Sequence, residues 1–465
     1  MLDSNLIPTV FEPIYTKKIN FITLLYNPYS QKGMTLLNKK AGALFKRIDG
    51  SKTVGDYLRQ TNNSKTGLKK NEILHIFNNL YQHSIINFKG LKNFDIIKFN
   101  KENNPLTVWL SITEQCNFRC TYCFVNKNPK KMSKETIEKT LDKLYELGKK
   151  YKHSQIKLAL AGGEPLLELN LIKNIVEKTK KLEGKSKNFF YITIVTNGSL
   201  LTEKTAEYFK KHEVKVAISV DGIGGFNDLT RKFVNGLGTF KYIQKGLDIA
   251  NKYNILSNVG VTVTSSNIKG LPSFVKYCLE NKIKLKIEFF KKTNNFCGEN
   301  VISNVESIIP FYRKTLNTIY SFYESKKIPH SPLLDHVLID RLRYPMGVSE
   351  FACFAGQFYF SVTSEGKIEY CPASGLKLGT IEDKDFILKA RSDKSFPLFQ
   401  RKSVEKIAEC QKCLWKYICS GGCPMERFYL NKDGSKPSPK CRIYKSLMNM
   451  ILKFEAKRII RANYF

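Results

Sequence analysis

"LTVWLSITEQCNFRCTYCF", residues 106–124, decides how this chain is read. Its first eight residues read as a strand, and three cysteines follow at once: Cys116, Cys120 and Cys123. A closed tetrahedral metal site takes four ligands, yet no further Cys or His appears after Cys123 until His153. Either a distant side chain completes the site, or the metal keeps one position open for chemistry.

Working outward, residues 105–327 alternate strand with helix. The strands are "LTVWLSIT", "QIKLALA", "FYITIVT", "VKVAISV", "NVGVTVT" and "KLKIEFF". Between the first two lies "SKETIEKTLDKLYELGKK", whose Ile137, Leu141, Leu144 and Leu147 fall on one helical face. Six such units predict an α/β fold with a parallel sheet, wound as a partial (β/α)6 TIM barrel whose functional loops gather at the strand C-termini. The distinctive motifs all follow strands: "AGGEP" with Gly162, Gly163, Glu164 and Pro165, "VTNGSLL" with Thr196 and Asn197, and "SVDG" with Ser219 and Asp221. Arg231 comes shortly after, in "LTRKFVNGLGTF".

Residues 1–100 read as a separate winged-helix-like domain. Strands at "INFITLLYN" and "MTLLN" flank a turn, a helix capped by Asn38 is stopped by Gly50, and two more helices precede a last strand at "IINFKG". Residues 328–350 read as a connector. Residues 351–445 form a cysteine-rich domain with a hairpin at "QFYFSVTSEGKIEYC", and 446–465 a closing amphipathic helix.

With 42% hydrophobic and 25% charged residues the composition is that of a soluble globular protein. No apolar run is long enough to span a bilayer, and the start lacks a secretory signal pattern, so the expected location is cytoplasmic, without a membrane partner. The net charge of +35 is spread over scattered lysines, which fits solvated faces, with an acidic peptide partner still open. Twelve cysteines in such a chain argue for metal ligation over disulfides.

Cys116-x3-Cys120-x2-Cys123 after a first barrel strand resembles the signature of radical S-adenosylmethionine (SAM) enzymes. The resemblance implies a [4Fe-4S] cluster held by three thiolates, whose fourth iron binds SAM, and cleavage of SAM to a 5′-deoxyadenosyl radical. It also implies cofactor-binding roles for Tyr122 near the adenine, Gly162 to Pro165 at the methionyl amine, Thr196 and Asn197 at the rim, Ser219 and Asp221 near the ribose, and Arg231 at the carboxylate.

A second cysteine field runs Cys353, Cys371, Cys410, Cys413, Cys419, Cys423 and Cys441, with Gly366 between the first two. Its spacings resemble the SPASM domain, which carries two auxiliary clusters, making three [4Fe-4S] clusters with the first. By position Cys410, Cys413, Cys419 and Cys441 would bind one, and Cys353, Cys371 and Cys423 the other. That last set again has three ligands. Either Cys297 fills the gap or an iron stays open for a substrate thiolate. Cys297 is thus the one candidate catalytic residue.

The N-terminal domain resembles the peptide-recognition (RiPP recognition element, PqqD-like) domains of ribosomal-peptide maturases, which bind a leader peptide as an added strand. The whole resembles sactipeptide and ranthipeptide thioether maturases. The implied activity is an oxidoreductase that joins a cysteine sulfur to a carbon within a precursor peptide, as in bacteriocin biosynthesis, with flavodoxin or ferredoxin as reductant. Three alternatives stand beside it. One is a carbon–carbon cross-linking or epimerising maturase, the latter with Cys297 or Cys278 as hydrogen donor. The second is an anaerobic sulfatase-maturating enzyme, disfavoured because Pro372 stands where those enzymes place an aspartate. The third is an iron–sulfur DNA-binding regulator, disfavoured because the candidate recognition helix "KKNEILHIFNNLYQHS" has only two lysines, both at its start; no nucleic-acid partner is therefore expected.

Overall fold

The computed structural model describes residues 3–30, 34–60, 67–90, 104–184, 189–291, 305–326, 334–336, 352–392, 403–431 and 434–462. A ten-stranded sheet organises most of them. β6 (Leu106–Thr113), β7 (Ile156–Gly162), β8 (Phe190–Thr196), β9 (Lys215–Ser219), β10 (Leu256–Val263) and β11 (Leu285–Phe289) lie side by side in chain order, all parallel. These are the six strands expected from the sequence. Alternation sorts their side chains: Leu106, Val108, Leu110, Ile156, Leu158, Leu160, Ile194, Val216 and Ile218 are buried against the flanking helices. The opposite, inner face carries Trp109 together with small or polar residues such as Ser111, Ala159, Thr193, Ala217, Ser219 and Gly260. A Cβ built on Gly260 would meet nothing within 4 Å.

The sheet continues past both ends of the expected six. β12 (Leu334–His336), in the stretch expected to be a plain connector, pairs parallel with β11. β13 (Tyr359–Val362) pairs parallel with β6 in the register Tyr359↔Thr107, and then forms the expected hairpin with β14 (Lys367–Glu369), followed by β15 (Lys377–Thr380). The sheet therefore does not close on itself at β6 and β11, and the cysteine-rich segment shares it.

The N-terminal unit packs separately around Leu25, Leu44, Val54, Ile73, Phe77, Leu80 and Phe88. β2 (Tyr15–Ile19), β3 (Ile22–Tyr26) and β4 (Met34–Leu37) make an antiparallel sheet, and β1 (Pro8–Val10) pairs with β5 (Ile86–Phe88). Asn38 caps the helix Lys39–Phe45 as expected. That helix ends short of Gly50, because residues 44–48 tighten into a turn whose Arg47 carbonyl accepts from the Tyr57 hydroxyl, 2.7 Å. Helices Val54–Arg59 and Lys70–Gln82 complete the unit. Its outer sheet face is covered by the cysteine-rich segment: Trp415 lies 5.2 Å from the Tyr15 ring and 6.3 Å from Tyr26, and Tyr417 lies 4.8 Å from Tyr29. The closing helix Cys441–Ala462 contributes Asn449, which accepts from the Tyr15 hydroxyl at 2.7 Å. No helix among the described residues is long and apolar enough to cross a membrane.

His153 reports on the base of the sheet. It is 4% exposed, its Nδ1 bonds the Asn104 carbonyl at 2.7 Å, and its Nε2 has no partner. Burial lowers its pKa below the usual 6.5, against the Asn104 bond, with Arg391 adding repulsion. The folded protein thus favours the neutral ring, and the unfolded chain takes up the proton first. Thermal stability is expected to fall as pH drops from about 6.5, and His153→Gln is expected to flatten that part of the profile in melts between about pH 5 and 8.

Candidate functional site

The three-cysteine loop leaves the end of β6 and is held from three sides. On the first side stand the glycines of "AGGEP". A Cβ on Gly162, which has φ +124°, would lie 2.0 Å from the Thr113 carbonyl, and one on Gly163 would lie 1.9 Å from that of Gln115. Only glycine lets β7 come this close. The gain is two hydrogen bonds, Gly163 N–H to Thr113 O at 2.8 Å and Glu164 N–H to Gln115 O at 2.7 Å. The sequence reading had these glycines approach a ligand; here the backbone they approach is that of the cysteine loop itself.

Glu164 is fully buried and its carboxylate is already occupied. Oε1 accepts from Leu166 N–H at 2.9 Å and Thr196 Oγ1 at 2.6 Å, and Oε2 from Asn197 N–H at 2.8 Å. Burial raises its pKa, and these three bonds oppose the rise. It braces the end of β7 to that of β8. On the second side, Asn197 Nδ2 donates to Asn117 Oδ1 at 2.8 Å, and Asn117 Nδ2 to Ser199 Oγ at 3.0 Å. Asn117 was not singled out from sequence, although its place directly after Cys116 was a signal.

On the third side the loop meets the segment after β9. Arg119 and Thr121 N–H groups donate to the carbonyls of Lys232 and Thr230, and Phe118 bridges to Phe233. Beneath them Asp221, with no exposure, collects the Tyr122 hydroxyl at 2.5 Å, the Thr230 hydroxyl at 2.7 Å and, through Oδ1, the Thr262 N–H at 3.1 Å. Arg231 Nε stands 3.0 Å from Asp221 Oδ2, with its N–H directed past the carboxylate, and the guanidinium lies 5.6 Å from the Tyr122 ring centre. Burial works against the Arg231 charge, and Asp221, Tyr122 and Cys120 outweigh it. Arg231, expected to face a ligand carboxylate, is therefore first an internal partner of Asp221. Ser219 sits beside Gly260 in register, on the inner face.

Cys116, Cys120 and Cys123 are each partly buried and close enough to feel one another's charge. Burial pushes the Cys120 thiol up to about 12, with Arg231 pulling it back. Lys127, missed from sequence, brings Nζ to 2.5 Å from Cys123 Sγ.

The second field resolves into two groups. Cys410, Cys413, Cys419 and Cys441 line one cavity with Trp415 and Tyr444. Cys353, Cys371 and Cys423 interact with one another, and burial pushes Cys371 up to about 12. The buried guanidinium of Arg427 feels charge from Cys410, Cys423 and Cys419, members of both groups. Among the described residues no three His, Cys, Asp or Glu side chains converge on a single-ion position. A thiol-only set lining one cavity, with a buried cation that feels thiols of both groups, fits a multi-iron cluster better than a mononuclear zinc site. Cys297 lies outside the described residues. Cys278 is buried in the core on helix Leu271–Glu280.

Sequence reasoning also missed Glu288 and Lys291 at the end of β11. Glu288 pairs with Lys286 at 2.8 Å and Lys291 at 3.5 Å. Lys291 and Lys286 hold the Glu288 carboxyl well below its usual range, and Lys291 in turn feels Glu288, then Cys423, Tyr444 and Cys353. Strand alternation places Glu288 on the inner face, beside Thr262.

Residues 110–275 match the model of the radical SAM superfamily. The chain is 26% identical over 350 residues to a cysteine-type anaerobic sulfatase-maturating enzyme of Clostridium perfringens, covering 71% of this chain and 91% of that one. It is 38% identical over 176 residues to the uncharacterized protein MJ0907 of Methanocaldococcus jannaschii, a match spanning 38% of this chain and only 59% of that protein's length. Among solved structures, native anSMEcpe with bound AdoMet and Cp18Cys peptide aligns with a TM-score of 0.64 at 23% identity, over 78% of this chain and all of that one. Streptococcus suis SuiB bound to precursor peptide SuiA aligns with a TM-score of 0.53 at 15% identity, over 94% of this chain and all of that one. At these identities the two structures speak for the fold alone.

The close approach at "AGGEP" is testable. Gly163→Ala is expected to displace the cysteine loop and cut iron incorporation during anaerobic reconstitution by more than half. Gly225→Ala, where a Cβ meets nothing within 4 Å, is expected to leave iron content unchanged. Residues 110–275, which carry the loop and its braces, match the radical SAM superfamily, and the chain is similar over most of its length to an anaerobic sulfatase-maturating enzyme.

Proposed function

We propose that this protein is a radical SAM peptide maturase that links a cysteine sulfur to a carbon of another residue in a ribosomally made precursor. SAM and a reduced cluster, bound together, supply a 5′-deoxyadenosyl radical able to take hydrogen from an unactivated carbon. Cys116, Cys120 and Cys123 hold that cluster, and Lys127 offsets thiolate charge. Gly162, Gly163 and Pro165 offer main-chain contacts to SAM. Thr196, Asn197, Ser219 and Tyr122 line its rim, and Asp221 keeps Arg231 charged for its carboxylate. Glu164 acts through the backbone it braces. Residues 1–100 receive the leader peptide, and a flavodoxin or ferredoxin supplies the electron. Cys410, Cys413, Cys419 and Cys441 hold one auxiliary cluster, within a domain at 351–445.

One observation carries the thioether reading. Among the described residues Cys353, Cys371 and Cys423 make a set of three thiols, two of which Lys291 feels, and its charge favours a substrate thiolate arriving as a fourth ligand. On the inner face, one alternate position before the Thr262–Glu288 pair, Gly260 leaves space that a Cβ would not fill. Pro372, directly after Cys371, leaves no carboxylate at the position where sulfatase-maturating enzymes place an aspartate. A sulfatase-maturating activity remains the second reading, favoured by the 26% identical relative.

The test is co-expression with a short cysteine-containing peptide encoded beside the gene, followed by mass measurement with and without thiol alkylation. Loss of two hydrogens per link, with thiols that resist alkylation, is the expected result. The same loss with alkylatable thiols would mean a carbon–carbon bond. Turnover of a sulfatase-derived cysteine peptide in its place would establish the second reading.

A further inference from the structure

Six of the ten large hydrophobic side chains exposed among the described residues fall within 223–242. Single exposed apolar residues need no explanation, but a group of them does. Val234, Leu237 and Tyr242 are 61%, 63% and 52% exposed. The first two sit at the tip of a hairpin closed by the Lys232↔Gly238 bridge and by the Phe233 N–H to Leu237 carbonyl bond, 3.0 Å. Beneath the hairpin, aromatic rings lead inward. Tyr242 meets Phe233 edge-on at 5.0 Å, and Phe233 meets the buried Phe118 edge-on at 5.0 Å. The Phe118 N–H donates to Cys116 Sγ at 3.3 Å. Two ring-to-ring steps therefore connect solvent to a thiol of the three-cysteine loop.

Charge on this surface is mainly positive, and the carboxylate at the base of the hairpin, Asp228, is turned to the Thr239 and Phe240 N–H groups at 2.8 and 2.9 Å. The cysteine loop and the hairpin lie side by side through the Arg119 and Thr121 main-chain bonds, and residues 115–134 and 229–247 contain nine Lys or Arg and no Asp or Glu. Lys130, Lys131 and Arg231 are answered by Glu365, Glu168 and Asp221. Among the described residues no carboxylate stands within ion-pairing distance of Arg119, Lys232 or Lys241, all of them exposed. An apolar tip rimmed by unanswered cations suits an acidic protein with an apolar, exposed redox centre.

We propose that this hairpin is the docking surface for an acidic flavin carrier of the flavodoxin class, which delivers one electron to the cluster held by Cys116, Cys120 and Cys123. The inference rests on the radical SAM reading. The apolar dimethylbenzene edge of the flavin faces Val234, Leu237 and Tyr242, and carrier carboxylates face Arg119, Lys232 and Lys241. In the transfer an anionic flavin hydroquinone is oxidised to the neutral semiquinone, the cluster is reduced by the same single electron, and no proton moves.

The experiment compares two reductants on the reconstituted full chain and on its Val234→Asp, Leu237→Asp and Lys232→Glu variants. SAM cleavage driven by dithionite is expected to stay within about twofold in all of them, since a small reductant needs no docking. Cleavage driven by flavodoxin hydroquinone is expected to fall at least about tenfold, and the calorimetric Kd for oxidised flavodoxin to weaken by a similar factor. In the unmodified protein, raising the salt from 0.05 to 0.5 M is expected to weaken that Kd as well, on the order of tenfold. Unchanged flavodoxin rates and Kd in the variants would overturn the proposal, as would an equal loss with both reductants. An unchanged Kd alongside lost peptide modification would overturn it too, by assigning the patch to the substrate. Absence of dithionite-driven cleavage in the unmodified protein would instead count against the radical SAM reading, and the binding measurement would still decide the docking surface.

Discussion

A fully buried carboxylate, Asp221, joins the parts on which the site depends. Taking such a group out of water costs several kcal/mol unless partners replace the lost solvation. Asp221 meets that cost with the Tyr122 and Thr230 hydroxyls, the Thr262 N–H and the Arg231 guanidinium. Those partners come from the cysteine loop, the segment after β9, and β10. Each partner fixes one wall, so the loop carrying the thiols cannot shift without stranding a charge. Thr230 and the N–H of Thr262 could not have been found by motif. Their importance comes from being near Asp221 in space, and spacing along the chain does not show that.

Much of the architecture was legible because parallel strands buried on one face by helices advertise themselves. All six expected strands form, two of them with the expected bounds, and the hairpin after Cys353 forms as well. The two additions to the sheet were not legible. β12 is three residues long, too short for any periodic signal, and β13 looked like half of an isolated hairpin because nothing local says that Tyr359 will lie beside Thr107. The glycines of "AGGEP" were recognised as a motif, but the reason for them was not. Sequence shows that a Cβ is missing, and only the fold shows that the Thr113 and Gln115 carbonyls occupy its place. Glu288 and Lys291 went unnoticed for a similar reason, since their surroundings are supplied by Cys423, Tyr444 and Cys353 from far along the chain.

The N-terminal unit is tied to the rest by aromatic packing. Trp415, two residues past Cys413, lies against both Tyr15 and Tyr26, while Lys416 stands over the Tyr29 ring at 5.3 Å. The cavity lined by Cys410, Cys413, Cys419 and Cys441 also has Trp415 and Lys416 in its wall. The order of that cavity and the seating of the N-terminal unit are consequently one packing problem: a change in either is felt by the other through Trp415 and Lys416.

The pairing of β13 with β6 also sets a timetable for the nascent chain. β6 carries the three cysteines at its end, yet one of its two neighbours is encoded about 250 residues later. At ribosomal speeds of roughly 5–20 residues per second, that flank stays unpaired for on the order of tens of seconds. An apolar strand with an open edge is a template for pairing with another chain. Any pause in translation before residue 359 therefore lengthens the time for which the strand that leads into the three-cysteine loop keeps an open edge.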